Sequence, residues 1–256
     1  MNLHKSNLSK NQIIEEFGRQ ILVPGISETG QKNLGLKHLL LIGLGALGTI
    51  SSQYLVRAGI GKITLIDYDK VSLSNLHRQI NYNKSHIEEL KSEVSKKVLS
   101  NINSVTDIFQ YPIAFEDYIK KNDVNNLDYI LDCSDNYQTK TNSSLFAKNK
   151  CISYSSISIN SSEGIFFSQD YKNLKDTNCF KCLFPKMYEQ NNRCLNSAMI
   201  GPTAGFVSSL ACNKIILGLA KKRLKISSEI LLIDLLTSDI NKLELKRSIC
   251  NHTYDE

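Results

Sequence analysis

Gly43-Leu44-Gly45-Ala46-Leu47-Gly48 follows the apolar run Leu39-Leu40-Leu41-Ile42 and leads into a helical pattern through Tyr54 and Leu55. A G-x-G-x-x-G turn between a buried strand and a helix lets phosphate approach main-chain N–H groups at a helix N-terminus. Asp67 ends the next apolar run, Ile63-Thr64-Leu65-Ile66, where a carboxylate that binds a ribose hydroxyl is expected. Taken alone, these residues suit a tight strand-to-helix turn without ligand, an NAD site or an ATP site. A second chemical group is Cys179-Phe180-Lys181-Cys182, a C-x-x-C with the spacing that binds structural zinc tetrahedrally.

The residues after Asp67 separate the nucleotides. Asp67-Tyr68-Asp69 is followed by Ser72-Leu73-Ser74-Asn75-Leu76-His77-Arg78-Gln79. Gly18-Arg19-Gln20-Ile21-Leu22 lies upstream and Asp132-Cys133-Ser134-Asp135-Asn136 in mid-chain. Together with the glycine turn, these segments resemble the signatures of the ThiF/MoeB (HesA/MoeB/ThiF) branch of the ubiquitin-activating-enzyme superfamily, in the family's order, over nearly the whole chain. The resemblance implies an ATP-dependent adenylyltransferase. Its substrate would be the C-terminal Gly carboxylate of a ubiquitin-like sulfur-carrier protein ending in Gly-Gly. That carrier would serve thiamine synthesis (ThiS-like, favoured by the stretch Cys182 to Pro202) or molybdopterin synthesis (MoaD-like).

Each implied role makes physical sense. Adenylyl transfer must neutralise a triphosphate and release pyrophosphate, so it needs fixed cations and a carboxylate for metal. Arg78 offers a forked donor for phosphate oxygens, and Lys91 a point charge. Asp135 would hold Mg²⁺, a hard cation that takes oxygen ligands. The loop residues Gly43, Gly45, Ala46 and Gly48, with Asp67, Asp69, Ser74, Asn75 and Asn136, would line the nucleotide. Arg19 matches a family arginine that reaches the partner subunit's site, which implies a homodimer. Cys194 matches the family's sulfur-transfer cysteine, with sulfur supplied by a separate persulfide donor. The family closes its zinc site with a second C-x-x-C near the C-terminus; here Cys250-Asn251-His252 stands there, so His252 would complete a Cys₃His set. His77 replaces the commoner Gln and is assigned no role; Ala46 replaces a glycine and is tolerable with a negative φ. Cys133 and Cys212 read as packed core thiols.

The elements that must position these groups read as strands alternating with helices. Short strands are expected at residues 39–42, 63–66, 108–111, 129–131 and 151–154. Helices follow the glycine turn and run through Val94, Val98 and Ile102. This is an α/β, Rossmann-like, doubly wound and mostly parallel sheet with helices on both faces. Beyond about residue 160 the texture changes to Gly164–Phe167, a long irregular stretch, a helix over Pro202–Leu219 and closing strands, an antiparallel extension. The expected organisation is one domain over 1–256: a helical segment (1–36), a nucleotide-binding core (37–160) and a carrier-binding, zinc and cysteine-loop part (161–256). The irregular stretch 168–200 is longer than structureless loops usually run, which points to function.

Composition bounds the rest. The formal charge of +6 comes from 31 Lys and Arg against 25 Asp and Glu, and the cations are scattered rather than gathered into a basic stripe. No nucleic-acid groove is therefore expected. The polar start MNLHKSNLSK is unlike a signal peptide, no membrane partner is expected, and seven cysteines do not form a secreted disulfide framework. A reducing, cytoplasmic setting follows. Two other classes compete: an NAD-dependent oxidoreductase, which leaves SLSNLHRQ and the cysteine pair unexplained, and a non-catalytic scaffold that binds a ubiquitin-like protein.

Overall fold

The computed structural model describes residues 10–174, 177–185, 198–221, 227–245 and 250–254. Helices α1 (Lys10–Ile21) and α2 (Ser27–Leu34) lead into strand β1 (His38–Ile42). There follow α3 (Ala46–Arg57), β2 (Lys62–Ile66), α4 (Lys91–Ser100), β3 (Asp107–Tyr111), α5 (Phe115–Lys121), β4 (Tyr129–Asp132), α6 (Tyr137–Asn149) and β5 (Ser153–Asn160). The remainder is β6 (Glu163–Gln169), α7 (Phe180–Leu183), α8 (Gly201–Ala220), β7 (Glu229–Asp234) and β8 (Asp239–Glu244). Single turns of 3-10 helix occur at Leu73–Asn75 and Lys84–His86.

The strands form one sheet in the order β3-β2-β1-β4-β5-β6-β7-β8. Pairings from β3 to β5 are parallel, and those from β5 to β8 antiparallel. This is the expected doubly wound sheet with its antiparallel extension. Every residue of β1 is buried, as a strand covered on both faces requires, which explains its unbroken apolar run. Leu39 and Leu41 join a core with α3 and α8, while Leu40 and Ile42 join another with α5 and α6. In register, Ile42 stands between Ile66 on one side and Asp132 on the other, so β1, β2 and β4 end level. Chain order reverses between β1 and β4, and ligands of open α/β sheets bind in the crevice at such a point.

Some elements differ from expectation. The last parallel strand begins at Ser153 and runs to Asn160; Cys151, with φ of 54°, lies in the turn before it. Helix α6 had no visible stripe because it is buried nearly all round, including Lys140, Thr141, Ser143 and Ser144. The polar stretch 101–126 contains α5, whose Phe115 and Tyr118 are buried. On α8 the buried face is Ala204, Val207, Ala211 and Ile215, while Phe206 turns outward. By length and composition α8 alone among the described residues could cross a membrane, yet over half of its apolar window is buried against the sheet and α3.

Candidate active site

The glycine turn is built as its chemistry demands. Gly43 has φ of 84°, a left-handed backbone, and a Cβ there would meet Ser134 N at 3.0 Å. Gly48 lies so close to the turn that a Cβ would overlap the Gly43 carbonyl oxygen. Gly45 caps α3 in an extended conformation, and Ala46 starts the helix without positive φ, so the alanine is tolerated. The loop is also held from behind: Asp67 Oδ2 accepts from Leu44 N at 2.6 Å, and Tyr82 Oη donates to Leu44 O at 2.9 Å. Tyr82 and its second partner, Ser95 Oγ at 3.0 Å, escaped sequence reasoning because neither stands in a recognisable motif.

Asp67 also accepts from Asp69 N at 2.8 Å through its other oxygen. Burial pushes its carboxyl up, opposed by Lys91 and by the two backbone donors. Lys91 is the first residue of α4 and only 6% exposed. Its Nζ lies 2.8 Å from Asp69 Oδ2, and its amide donates to Asp69 O at 2.9 Å. Two residues singled out separately in the sequence thus form one ion pair beside the glycine turn.

Arg78 and its neighbours form a compact turn. Ser72 Oγ and Asn75 Oδ1 cap each other's backbone amides, and Ser74 Oγ lies 2.9 Å from Ser72 Oγ. The Asn75 carboxamide oxygen is therefore engaged in the turn, and its NH₂ is the group left to donate to a ligand. Asp135 is exposed and makes no hydrogen bond or ion pair among the described residues. Tyr68 reports its surroundings: burial raises its phenol, followed by the charges of Asp69, Asp135, Asp67 and Glu116. A crowd of carboxylates around an unpaired Asp135 fits a hard divalent cation. Asn136 Oδ1 accepts from Thr139 N at 3.0 Å, capping α6.

A buried network unseen in the sequence fixes this loop. Asp132 is fully buried; its Oδ1 accepts from Ser134 N at 2.9 Å and Ser134 Oγ at 2.6 Å, and its Oδ2 from Ser143 Oγ at 2.6 Å. Lys140 Nζ sits 3.6 Å from Asp132 Oδ1 and donates to Ile157 O at 2.9 Å. Removing one member would strand a buried charge, so the set acts as a unit.

A second cluster lies at the far end of α6. Cys179, Cys182, Cys250 and His252 converge, with their ligand atoms all within 4.8 Å of one another. His252 Nδ1 is 3.4 Å from Cys179 Sγ, 3.3 Å from Cys182 Sγ and 3.8 Å from Cys250 Sγ; the first two sulfurs are 3.6 Å apart. Zinc bonds of about 2.3 Å to sulfur and about 2.0 Å to nitrogen give tetrahedral edges of about 3.5 to 3.8 Å. The donor set and its spacing fit such an ion. Burial pushes the Cys179 thiol up to about 12. Burial acts the same way on Cys250, but hydrogen bonds, led by Lys148, outweigh it and bring that thiol down to about 6. Cys133 and Cys212 are buried core thiols, both raised by burial, Cys212 to about 12.

Arg19 is exposed on the last turn of α1 and, among the described residues, bonds to nothing in its own chain's site. Cys194 lies outside the described residues.

The ThiF family matches residues 17–252. The chain belongs to it. Among its relatives, the molybdopterin-synthase adenylyltransferase of Escherichia coli is 30% identical over 246 residues, covering 95% of this chain and 96% of that one. The sulfur carrier protein ThiS adenylyltransferase of Escherichia coli is 32% identical over 197 residues and 76% of each chain. An adenylyltransferase and sulfurtransferase, MOCS3 of Dictyostelium discoideum, is 30% identical across 96% of this chain, which spans 59% of that relative's length. The crystal structure of E. coli MccB with ATP superposes with a TM-score of 0.78 at 20% identity, over 98% of this chain and 76% of that one. This ThiF-family chain is thus an enzyme of the adenylyltransferase class, and its relatives include adenylyltransferases of sulfur carrier proteins.

Proposed function

We propose that the chain uses ATP to adenylylate the C-terminal glycine carboxylate of a ubiquitin-like sulfur carrier in the cytoplasm, with a ThiS-like carrier favoured and a MoaD-like one next. One observation carries this reading. The glycine turn, the Lys91–Asp69 pair, Asp67 and Asp135 gather where β1, β2 and β4 end level, with the Arg78 turn following β2.

In this reading the triphosphate lies over the glycine turn and the N-terminus of α3. Each Asp67 oxygen keeps a lone pair beyond its backbone bond, enough to accept a ribose hydroxyl. The carrier's carboxylate oxygen attacks the α-phosphorus, the bond to the bridging oxygen breaks, and pyrophosphate leaves an acyl-adenylate. Arg78 and Lys91 offset charge on the phosphates, and Arg19 would join them from the partner of a homodimer. Asp135 would hold Mg²⁺, which supplies further charge neutralisation. Residues 161–256 would seat the carrier, whose flexible tail must reach this crevice. The terminal sulfur of a persulfide, passed from a separate donor to Cys194, would then attack the acyl carbon and release AMP. A thiol would cleave the S–S bond of the resulting acyl disulfide to leave a thiocarboxylate on the carrier. Cys179, Cys182, Cys250 and His252 would hold a structural Zn²⁺, whose binding energy adds to folding.

The experiment is ATP–pyrophosphate exchange with purified ThiS-like and MoaD-like carriers ending in Gly-Gly, with NAD binding measured beside it. Carrier-dependent exchange, stronger with the ThiS-like protein, is expected. Binding of a carrier without exchange would favour a scaffold, and NAD binding without exchange an oxidoreductase.

A further inference from the structure

The turn that carries Arg78 sets a second titratable side chain against it. The Arg78 guanidinium, through one terminal nitrogen, donates to Ser74 O at 2.7 Å and lies 2.7 Å from His77 Nε2. A guanidinium only donates and stays charged at any ordinary pH. The contact therefore needs a lone pair on His77 Nε2, with the ring proton on Nδ1 and the imidazole neutral. Both hydrogens of that nitrogen are then engaged. The remaining Nε–H and terminal NH₂ form the edge that pairs bidentately with phosphate oxygens. The backbone beneath is fixed as well: Arg78 N and Gln79 N donate to Asn75 O at 3.1 and 3.0 Å, and a Cβ on Gly201 would come within 3.2 Å of His77 O.

We infer that His77 is a positioning residue for Arg78, holding the guanidinium ready for the polyphosphate only while its own ring is neutral. This rests on the reading of Arg78 as a phosphate-binding residue. An imidazolium carries N–H at both nitrogens, cannot accept, and repels the cation beside it. Among the described residues, Arg78 is the charged group bonded to the ring. The turn Ser72–Leu76 and Gly201 at the start of α8, which approaches it, contain no titratable side chain to offset an imidazolium. Assay pH is therefore the natural lever on this contact.

The test is the dissociation constant for Mg·ATP, measured by calorimetry without carrier at about pH 8 and about pH 5.5. Four proteins are compared: wild type, His77→Gln, whose amide oxygen accepts at both pH values, His77→Leu, which never accepts, and Arg78→Ala. Protonation of ATP itself affects all four alike. Wild type should match His77→Gln at the higher pH and fall roughly fivefold to tenfold below it at the lower, as loss of a charge-assisted hydrogen bond implies. His77→Leu should bind weakly at both. A shared pH profile for wild type and His77→Gln overturns the inference, as does full affinity of His77→Leu at the higher pH. Full affinity of Arg78→Ala instead overturns the phosphate role of Arg78, whatever the His77 variants do.

Discussion

Asp135 and Cys194 represent opposite demands on a side chain. Asp135 is exposed and unpaired among the described residues, so truncation removes no packing and strands no partner. Asp135→Ala should keep its melting temperature while losing pyrophosphate exchange by about two to three orders of magnitude, the usual scale for one preorganised electrostatic contact. Exchange close to wild type would remove the metal assignment. Cys194→Ser should leave exchange intact, because the attacking group is the carrier's carboxylate, and should lower sulfur transfer to the carrier. Equal loss of both would place Cys194 in the adenylation step instead. Candidates were legible where chemistry dictates a motif: Asp67, Lys91, Arg78 and Asp135 were singled out in the sequence, and the structure sets Asp67 and the Lys91–Asp69 pair against the glycine turn. Tyr82, Lys140 and the buried Asp132 were not given roles, because their partners lie on other elements and no spacing announces them.

Elements were legible in proportion to how evenly they are covered. The fully buried β1 and β4 announced themselves as apolar runs, and the glycine turn marked the start of α3. Helix α6 did not, since serines, a threonine and a lysine fill its buried face, the serines bonding to Asp132, Tyr171 and Phe180 and the lysine to Asp132. Periodicity detects hydrophobicity, and that face is polar. Its two ends also matter. Asn136 caps it at the crevice, while Lys148 Nζ donates to Cys250 O at 2.7 Å at the cysteine cluster. Gly48→Ala tests the tightest element contact: its new methyl meets the Gly43 carbonyl, and the turn must open. We expect about 1–3 kcal/mol lower stability and a larger loss of ATP affinity than Asn136→Ala gives, read by denaturant melts and calorimetry. An unchanged melt would mean that the turn relaxes freely.

At the scale of the whole molecule, the five parallel strands and the crossovers α3 and α4 were foreseen, α5 and α6 were not, and the antiparallel extension was expected from the change of texture after residue 160. Among the described residues, Asp67, Asp69, Lys91 and Asp135 gather at the glycine turn of one chain, whereas Arg19 projects from α1 without a described partner there. If it acts in the other subunit, mixing inactive Arg19→Ala with inactive Arg78→Ala should restore part of the exchange activity. Each mixed dimer then contains one intact site, and a quarter of wild-type exchange is about the ceiling for free reassortment. No recovery despite proven subunit exchange would count against a shared site. Stability has its own long-range contribution. Cys179→Ser should strip bound zinc, lower the melting temperature and reduce both activities together, because metal binding and folding are linked. Less than about a tenth of an equivalent of zinc in wild-type protein never exposed to chelator would leave Cys179 an ordinary thiol.

Cys179 and Cys182 are separated from Cys250 and His252 by α8, β7 and β8. An ion shared by the four ligands therefore acts as a cross-link that ties off a long circuit of polypeptide. Chain-entropy arithmetic for closing a circuit of some seventy residues gives about 4 kcal/mol, taken from the unfolded ensemble rather than from any native contact. Demetallation should thus be felt less at the glycine turn than within the enclosed segment. Proteolysis of chelated protein should nick first between residues 183 and 250, leaving the parallel half of the sheet as the resistant fragment.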